Sequence, residues 1–304
     1  MKFFESLTAG GLDLPAKEIR GAAPGPRILI TAGIHGAEYV GIEAARRLAR
    51  ELAGLDTARI RGSVLILPCV NTAAFAARVA AFNPVDGKNI NRCFPGNPEG
   101  TCSDLIAVRI GELARGSDFH IDLHGGDLHE RLTPYVYFQG ACGAAESEAG
   151  REACRFVDVP VRVRSTATSG AYNSSAILGT PAILIERGQG GRWSEPEVEA
   201  YLRDLRSVLS HLGLFERGAL GEENERRGDA EQLEMEALYD SADADGLWRP
   251  LVREGDRVRE GDLMGVLEDF DGNVLHRSTA RKDGVVLYTS GTLFVPAGRD
   301  LVAY

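Results

Sequence analysis

The sequence contains no C-x-x-C pair, and its five cysteines (Cys69, Cys93, Cys102, Cys142 and Cys154) are odd in number and scattered. That pattern argues against a disulfide framework or a cysteine metal site and fits reduced thiols in a cytoplasmic protein. No apolar run approaches the roughly 20 residues needed to span a bilayer. The first twenty residues mix charge and glycine without a continuous apolar segment, so no secretory signal is expected. A basic excess is also missing: 34 Lys and Arg stand against 44 Asp and Glu, for a formal net charge of −10. A nucleic-acid partner would call for the opposite balance. No repeat runs through the chain, and there is no low-complexity tract.

What is present is an ordinary globular composition over 304 residues, 44% hydrophobic and 26% charged. That length suits one large domain, or a large one with a small one attached. The first two thirds alternate strand-like and helix-like segments. Strands are predicted at Arg27–Ala32, Ser63–Val70, Phe119–Leu123, Tyr135–Phe138 and Ala182–Ile185. Helices are predicted at Glu38–Leu52, at Asp104–Leu113, and from Ser194 to near Gly213. In the last of these, Ser194 supplies an N-cap and Glu197 the partner of a capping box. Such alternation predicts an α/β fold, with a largely parallel sheet covered by helices on both faces.

The pattern changes after a charge-rich connector. From Glu234 to Tyr304, short β-like runs are punctuated by Gly and Asp, which signals hairpins. The expected organisation is a catalytic domain over 1–217, a linker over 218–231 and a small all-β domain over 232–304. Within the last, V-R-E-G-D occurs at Val252–Asp256 and again at Val258–Asp262, a pattern similar to a biotinyl/lipoyl-like barrel. A carrier domain needs a lysine at a hairpin tip. The Asp269–Asn273 turn has none, so a structural or gating role is expected.

Three polar clusters sit where strands end, and a fourth lies in a turn-rich stretch. Gly33-Ile34-His35-Gly36-Ala37-Glu38 links a strand to a helix, the position at which open α/β sheets gather ligands. Three residues apart at such a turn, the His35 imidazole and the Glu38 carboxylate can converge. Asp118–Gly126 ends a second strand with His124, and two neighbouring ligands plus a distant third is a common zinc arrangement. His, Glu and His leave one tetrahedral position for water, the mark of a catalytic zinc. Ala182–Gly188 ends an apolar strand with Glu186, a candidate general base and acid. Asn83–Gly96 is polar and turn-rich; Arg92 offers a planar fork for a carboxylate, and Asn91 offers an amide donor beside it. Among the other histidines, His120 reads as packed, His129 as a loop residue that could line a pocket, and His211 and His276 as structural or exposed. Asp122 is a candidate to orient a ligand histidine.

G-I-H-G-A-E, N-I-N-R-C-F-P-G, D-L-H-G-G and I-L-I-E-R-G, in that order, resemble the succinylglutamate desuccinylase and aspartoacylase family, relatives of the zinc carboxypeptidases. The match runs from about Arg27 to Phe215 and continues loosely beyond. It implies a zinc-dependent deacylase acting on a small N-acyl amino acid or related compound. One zinc would be held by His35, Glu38 and His124, substrate would contact Asn91 and Arg92, and Glu186 would be the catalytic base. It also implies a C-terminal β domain that narrows access, and makes Tyr172 and Tyr288 candidate substrate contacts. Where aspartoacylases place a carbonyl-polarising arginine, this chain has Pro84, with Arg78 as a stand-in; where they read D-L-N-R, it has Asn89–Arg92. A related deacylase with another substrate is therefore expected. The competing readings are a metallocarboxypeptidase acting on peptide C-termini and a non-catalytic zinc- or ligand-binding protein. No nucleic-acid or membrane partner is expected, and a homo-oligomer is compatible with the sequence.

Overall fold

The computed structural model describes residues 3–228 and 230–304. Met1, Lys2 and Asp229, which fall in the expected catalytic domain and linker, lie outside the described residues. The elements run β1 (Glu5–Ala9), β2 (Leu12–Arg20), β3 (Ala23–Ala32), α1 (Tyr39–Gly54), β4 (Arg61–Leu67), α2 (Thr72–Ala77), α3 (Cys102–Arg115), β5 (Phe119–His124), β6 (Glu130–Leu132), β7 (Tyr135–Gln139), α4 (Ala144–Ala153), β8 (Val161–Ser165), α5 (Ala171–Ile177), β9 (Ala182–Glu186) and α6 (Glu195–His211). Only strands follow: β10 (Leu233–Met235), β11 (Tyr239–Ser241), β12 (Gly246–Pro250), β13 (Arg257–Val258), β14 (Leu263–Glu268), β15 (Val274–Thr279), β16 (Gly284–Val285), β17 (Tyr288–Ser290), β18 (Phe294–Val295) and β19 (Asp300–Ala303).

The largest sheet has nine strands in the order β1-β2-β4-β3-β5-β9-β7-β8-β10. Its centre is parallel, from β4 through β3 and β5 to β9. The β1–β2, β2–β4 and β7–β9 pairs are antiparallel, so the sheet is mixed and mostly parallel. All six residues of β5 are buried, as expected of a strand covered on both faces. On one face, Val40, Ala44, Leu48 and Leu52 of α1 pack with Val198, Leu202 and Leu205 of α6 against Ile28, Ile30, Ile121 and Ile183. These residues recur at three- and four-residue spacing and form the apolar stripe that makes each segment a buried amphipathic helix. On the other face, Ile106 and Ile110 of α3 pack on Leu29 and Leu67.

Several sequence expectations change in detail. Helix α1 begins at Tyr39, with Glu38 at its N-cap rather than inside its first turn. Ser194 is the N-cap of α6, but its side chain makes no capping bond, so the expected capping box does not form there. A complete box closes α3 instead, between Thr101 and Asp104. The β1–β2 hairpin and the short elements α2, α4, α5, β6 and β8 were not expected.

The C-terminal strands form small antiparallel sheets, as the glycine turns suggest. Both V-R-E-G-D segments fold alike: Asp256 Oδ2 accepts from Arg253 N at 2.7 Å and Asp262 Oδ2 from Arg259 N at 2.8 Å. β14 and β15 form a hairpin whose tip is capped by Asp269, which accepts from Asp271 N and Asn273 N. Strands also cross between the two regions. β6 pairs with β17, and β10 pairs in parallel with β8. Among the described residues, no helix is long and apolar enough to cross a membrane.

Candidate active site

The carboxyl ends of β3, β5 and β9, three neighbours at the centre of the sheet, face one cavity of about 1210 Å³. His124 and Glu186 are register partners across the β5–β9 ladder. His35 stands three residues past the end of β3, and Glu38 three residues further on. The loops reach this point because their glycines permit close approach. A Cβ on Gly36 would lie 2.4 Å from the backbone nitrogen of Phe75, and one on Gly125 would lie 2.0 Å from the Arg187 carbonyl oxygen.

The Glu38 carboxylate lies between two imidazoles. His35 Nδ1 is 2.6 Å from Glu38 Oε1, and His124 Nδ1 is 3.0 Å from Glu38 Oε2. The two rings meet edge to face, with centroids 5.0 Å apart. The second contact is close but not aligned as a hydrogen bond, so Oε2 of a residue only 4% exposed has no hydrogen-bond partner among the described residues. A buried carboxylate oxygen left this way is costly unless a cation completes its surroundings. One donor atom from each of His35, Glu38 and His124 lies within 4.8 Å of the others. Two imidazole nitrogens and a carboxylate oxygen form a donor set that suits zinc.

The remaining ring nitrogens are held from behind. Asn89 Oδ1 lies 3.2 Å from His35 Nε2. Asp122 Oδ2 lies 3.2 Å from His124 Nε2, while Thr31 Oγ1 donates to Asp122 Oδ1 at 2.7 Å. This fixes which nitrogen of each ring faces Glu38. Tyr201, from α6, donates to the carbonyls of Ile185 at 2.7 Å and His124 at 3.1 Å, tying the ends of β5 and β9 together. His120 is packed between Thr31 and Ser175. Burial takes it down to about 4, so its ring is neutral.

Electrostatics set these groups apart. Burial alone would raise the Glu38 carboxyl, but the two imidazoles outweigh it and bring it below the usual carboxylate range. His124 is raised well above its ordinary value, because Glu38 and Asp122 overcome the penalty of burial. The Glu186 carboxyl goes strongly the other way. Burial pushes it well up, with Glu38 and Glu130 adding to the rise and His124 only partly opposing it. Arg187, its neighbour in sequence, pairs with Asp204 instead. Burial also pushes Glu130 up to about 8, helped by Asp127 and Glu38.

Asn91 and Arg92 line the same cavity. The Asn91 carbonyl oxygen accepts from Ala171 N at 3.0 Å, which leaves its amide nitrogen as the donating end. Arg92 is exposed and makes no ion pair among the described residues. Arg78 is not among the residues that line the cavity. It caps α2 in a left-handed conformation, exposed and away from the cavity, and Pro84 is outside the lining too. His129 lines the cavity, as do Tyr172 and Tyr288. His211 stacks on Phe156, and His276 sits between Asp240 and Asp243. Sequence reasoning missed Asp127, Glu130, Tyr135, Tyr137, Tyr239 and Arg299, all on the cavity wall. Tyr137 and Tyr239 join hydroxyl to hydroxyl at 2.7 Å. Asp127 follows the D-L-H-G-G motif directly, whereas Tyr135, Tyr137, Tyr239 and Arg299 are marked by no local motif.

Comparison with known proteins identifies the family and the fold. Residues 24–212 match the succinylglutamate desuccinylase/aspartoacylase catalytic domain. The chain is 28% identical to the N-alpha-acetyl-L-2,4-diaminobutyric acid deacetylase of Halomonas elongata over 285 residues, covering 91% of this chain and 81% of that protein. Its fold is similar to a succinylglutamate desuccinylase/aspartoacylase structure from Rhodobacter sphaeroides, with a TM-score of 0.81, 28% identity, and 96% and 88% of the two chains covered. It is equally similar to the product-bound ectoine utilization protein EutE (DoeB) from Ruegeria pomeroyi, with a TM-score of 0.81, 26% identity and the same coverage. The chain belongs to the succinylglutamate desuccinylase/aspartoacylase family.

Proposed function

We propose that this family member is a zinc-dependent deacylase that cleaves the amide bond of a small N-acyl amino acid. His35, Glu38 and His124 hold the ion, Glu186 handles the proton, and Asn91 and Arg92 contact substrate. The observation that carries the reading is the buried Glu38 carboxylate between two imidazole Nδ1 atoms, with one oxygen lacking a hydrogen-bond partner among the described residues. A bound divalent zinc supplies Lewis acidity, polarising a carbonyl oxygen and making a water more acidic.

The chain's own groups do the rest. Asp122 and Asn89 fix the rings of His124 and His35. Glu186 faces the same cavity across the β5–β9 ladder, where its carboxylate takes a proton from water and later gives it to the departing amine. A carboxyl whose proton affinity is raised by burial is suited to both steps. The Arg92 fork and the Asn91 amide hold the carboxylate of the amino-acid part.

The relative from Halomonas elongata deacetylates a diamino acid, and the wall of this cavity suits such a substrate. Asp127 and Glu130 are carboxyl groups with no basic side chain in ion-pair distance among the described residues, and a free ammonium group would pair with them. We take residues 1–217 as the catalytic unit, 218–231 as a linker and 232–304 as a β unit that narrows access, which favours small substrates over peptide ends. A cytoplasmic location goes with this reading.

The test is Glu186→Gln, assayed on N-acetyl and N-succinyl amino acids with metal content measured in parallel. Zinc should stay bound while turnover falls by about 10²- to 10⁴-fold. Near-normal turnover in that variant would overturn the reading.

A further inference from the structure

The cavity carries a second guanidinium that the chemistry above leaves unused. Arg299 lies in the turn between β18 and β19 and comes from the C-terminal strands. Its backbone is well tied: its carbonyl accepts from Ala242 N at 2.9 Å, Gly298 N donates to the Ala242 carbonyl at 2.8 Å, and Ala297 N donates to Asp245 Oδ1 at 2.8 Å. The side chain lies over the ring of Phe82, with its guanidinium carbon 5.7 Å from the ring centre. Phe82 forms a backbone bridge with Asn89, the residue behind His35. The Arg299 side chain is thus set against the loop that carries Asn91 and Arg92.

Arg92 and Arg299 are the two arginines lining the cavity. Arg299 is half-buried and makes no ion pair among the described residues. Its charge slightly offsets the rise of Glu130. An aromatic face orients a guanidinium without occupying its N–H donors, so the planar fork remains free for a carboxylate, and one carboxylate can accept from two such groups.

We propose that Arg299 is a specificity-determining residue that binds the substrate's carboxylate from the C-terminal wall, completing a clamp with Arg92. The proposal rests on the N-acyl amino acid reading above. It explains how a cavity rich in acidic side chains still selects an amino acid: recognition of the carboxylate is divided between two walls.

Two probes test it, N-acetyl-L-2,4-diaminobutyrate and the same compound with its carboxylate converted to a carboxamide. Binding is measured by calorimetry on the full chain carrying Glu186→Gln, with and without Arg299→Ala. The parent should prefer the carboxylate. Arg299→Ala should weaken carboxylate binding by about 10- to 100-fold and leave the carboxamide within about twofold. Arg299→Lys should fall between. In the otherwise native enzyme, Arg299→Ala should raise KM with little change in kcat. Equal weakening of both probes would make Arg299 only a strut against Phe82, and that result, no weakening, or no carboxylate preference in the parent would overturn the proposal. Failure of the deacylase reading shows separately, as native protein that turns over neither probe or as turnover that persists in Glu186→Gln.

Discussion

The two walls of the cavity are built on different principles. One stands on the ends of β3, β5 and β9, in the most deeply buried part of the nine-stranded sheet, where His124 and Glu186 are fixed as register partners. The other consists of turns between short antiparallel strands, with Phe294 about half exposed and the Pro296–Arg299 turn at the surface. The first wall cannot move without disturbing the core. The second can change residue by residue without cost to it. On the reading proposed above, the bond-breaking groups stand on the first wall, while the second adds Arg299 to the lining.

The sharpest way to break that contrast is to weaken the sheet centre and, separately, the C-terminal strands. Ile121→Ala in β5 should cost about 2–5 kcal/mol in denaturant unfolding, since Ile121 is fully buried in the main core. Phe270→Ala, at a hairpin tip where the ring is 90% exposed, should stay within about 0.5 kcal/mol of the parent. Equal losses would mean that the C-terminal strands are as tightly coupled to the core as the sheet centre.

A smaller effect should come from behind the first wall. Asp122→Ala should lower metal affinity by about 10- to 100-fold, read by competition with a chelator. An unchanged affinity would show that the His124 ring is held by packing alone.

The smallest effect belongs to the second region. His276 lies between Asp240 and Asp243, and these hydrogen-bonded acids raise it above its ordinary value despite the opposing effect of burial. A raised folded value means the contribution is fully present below the unfolded pKa of about 6.5. It is lost as pH rises through the folded value. Because Asp243 is largely exposed, the contribution should not exceed about 1 kcal/mol. His276→Gln should lose its excess stability at pH 6 relative to pH 8, and an unchanged pH dependence would count against the pairing.

How far the sequence reveals this molecule differs between the walls for the same reason. That His35, Glu38, His124 and Glu186 come to one cavity is legible because each sits at, or a few residues past, the end of an apolar strand. The β1–β2 hairpin is not, because β2 at Leu12–Arg20 carries a proline and several charged residues that mask its strand character. Helix α5 is short and made largely of small side chains, so it lacks a 3.6-residue stripe. Ser194 has the signature of a capping box, but its hydroxyl makes no such bond. Glu130 and Arg299 come from strands and turns joined by long-range pairing, and no window of sequence carries that information.

The crossing strands have a mechanical consequence. Glu130–Leu132 leaves the nine-stranded sheet's own segment to pair with Tyr288–Ser290, while Leu233–Met235 returns from the far side to pair with Val161–Val163. Swinging the two regions apart like a clamshell would tear both ladders at once. Access to the cavity then depends on its bordering side chains rather than on the two regions parting.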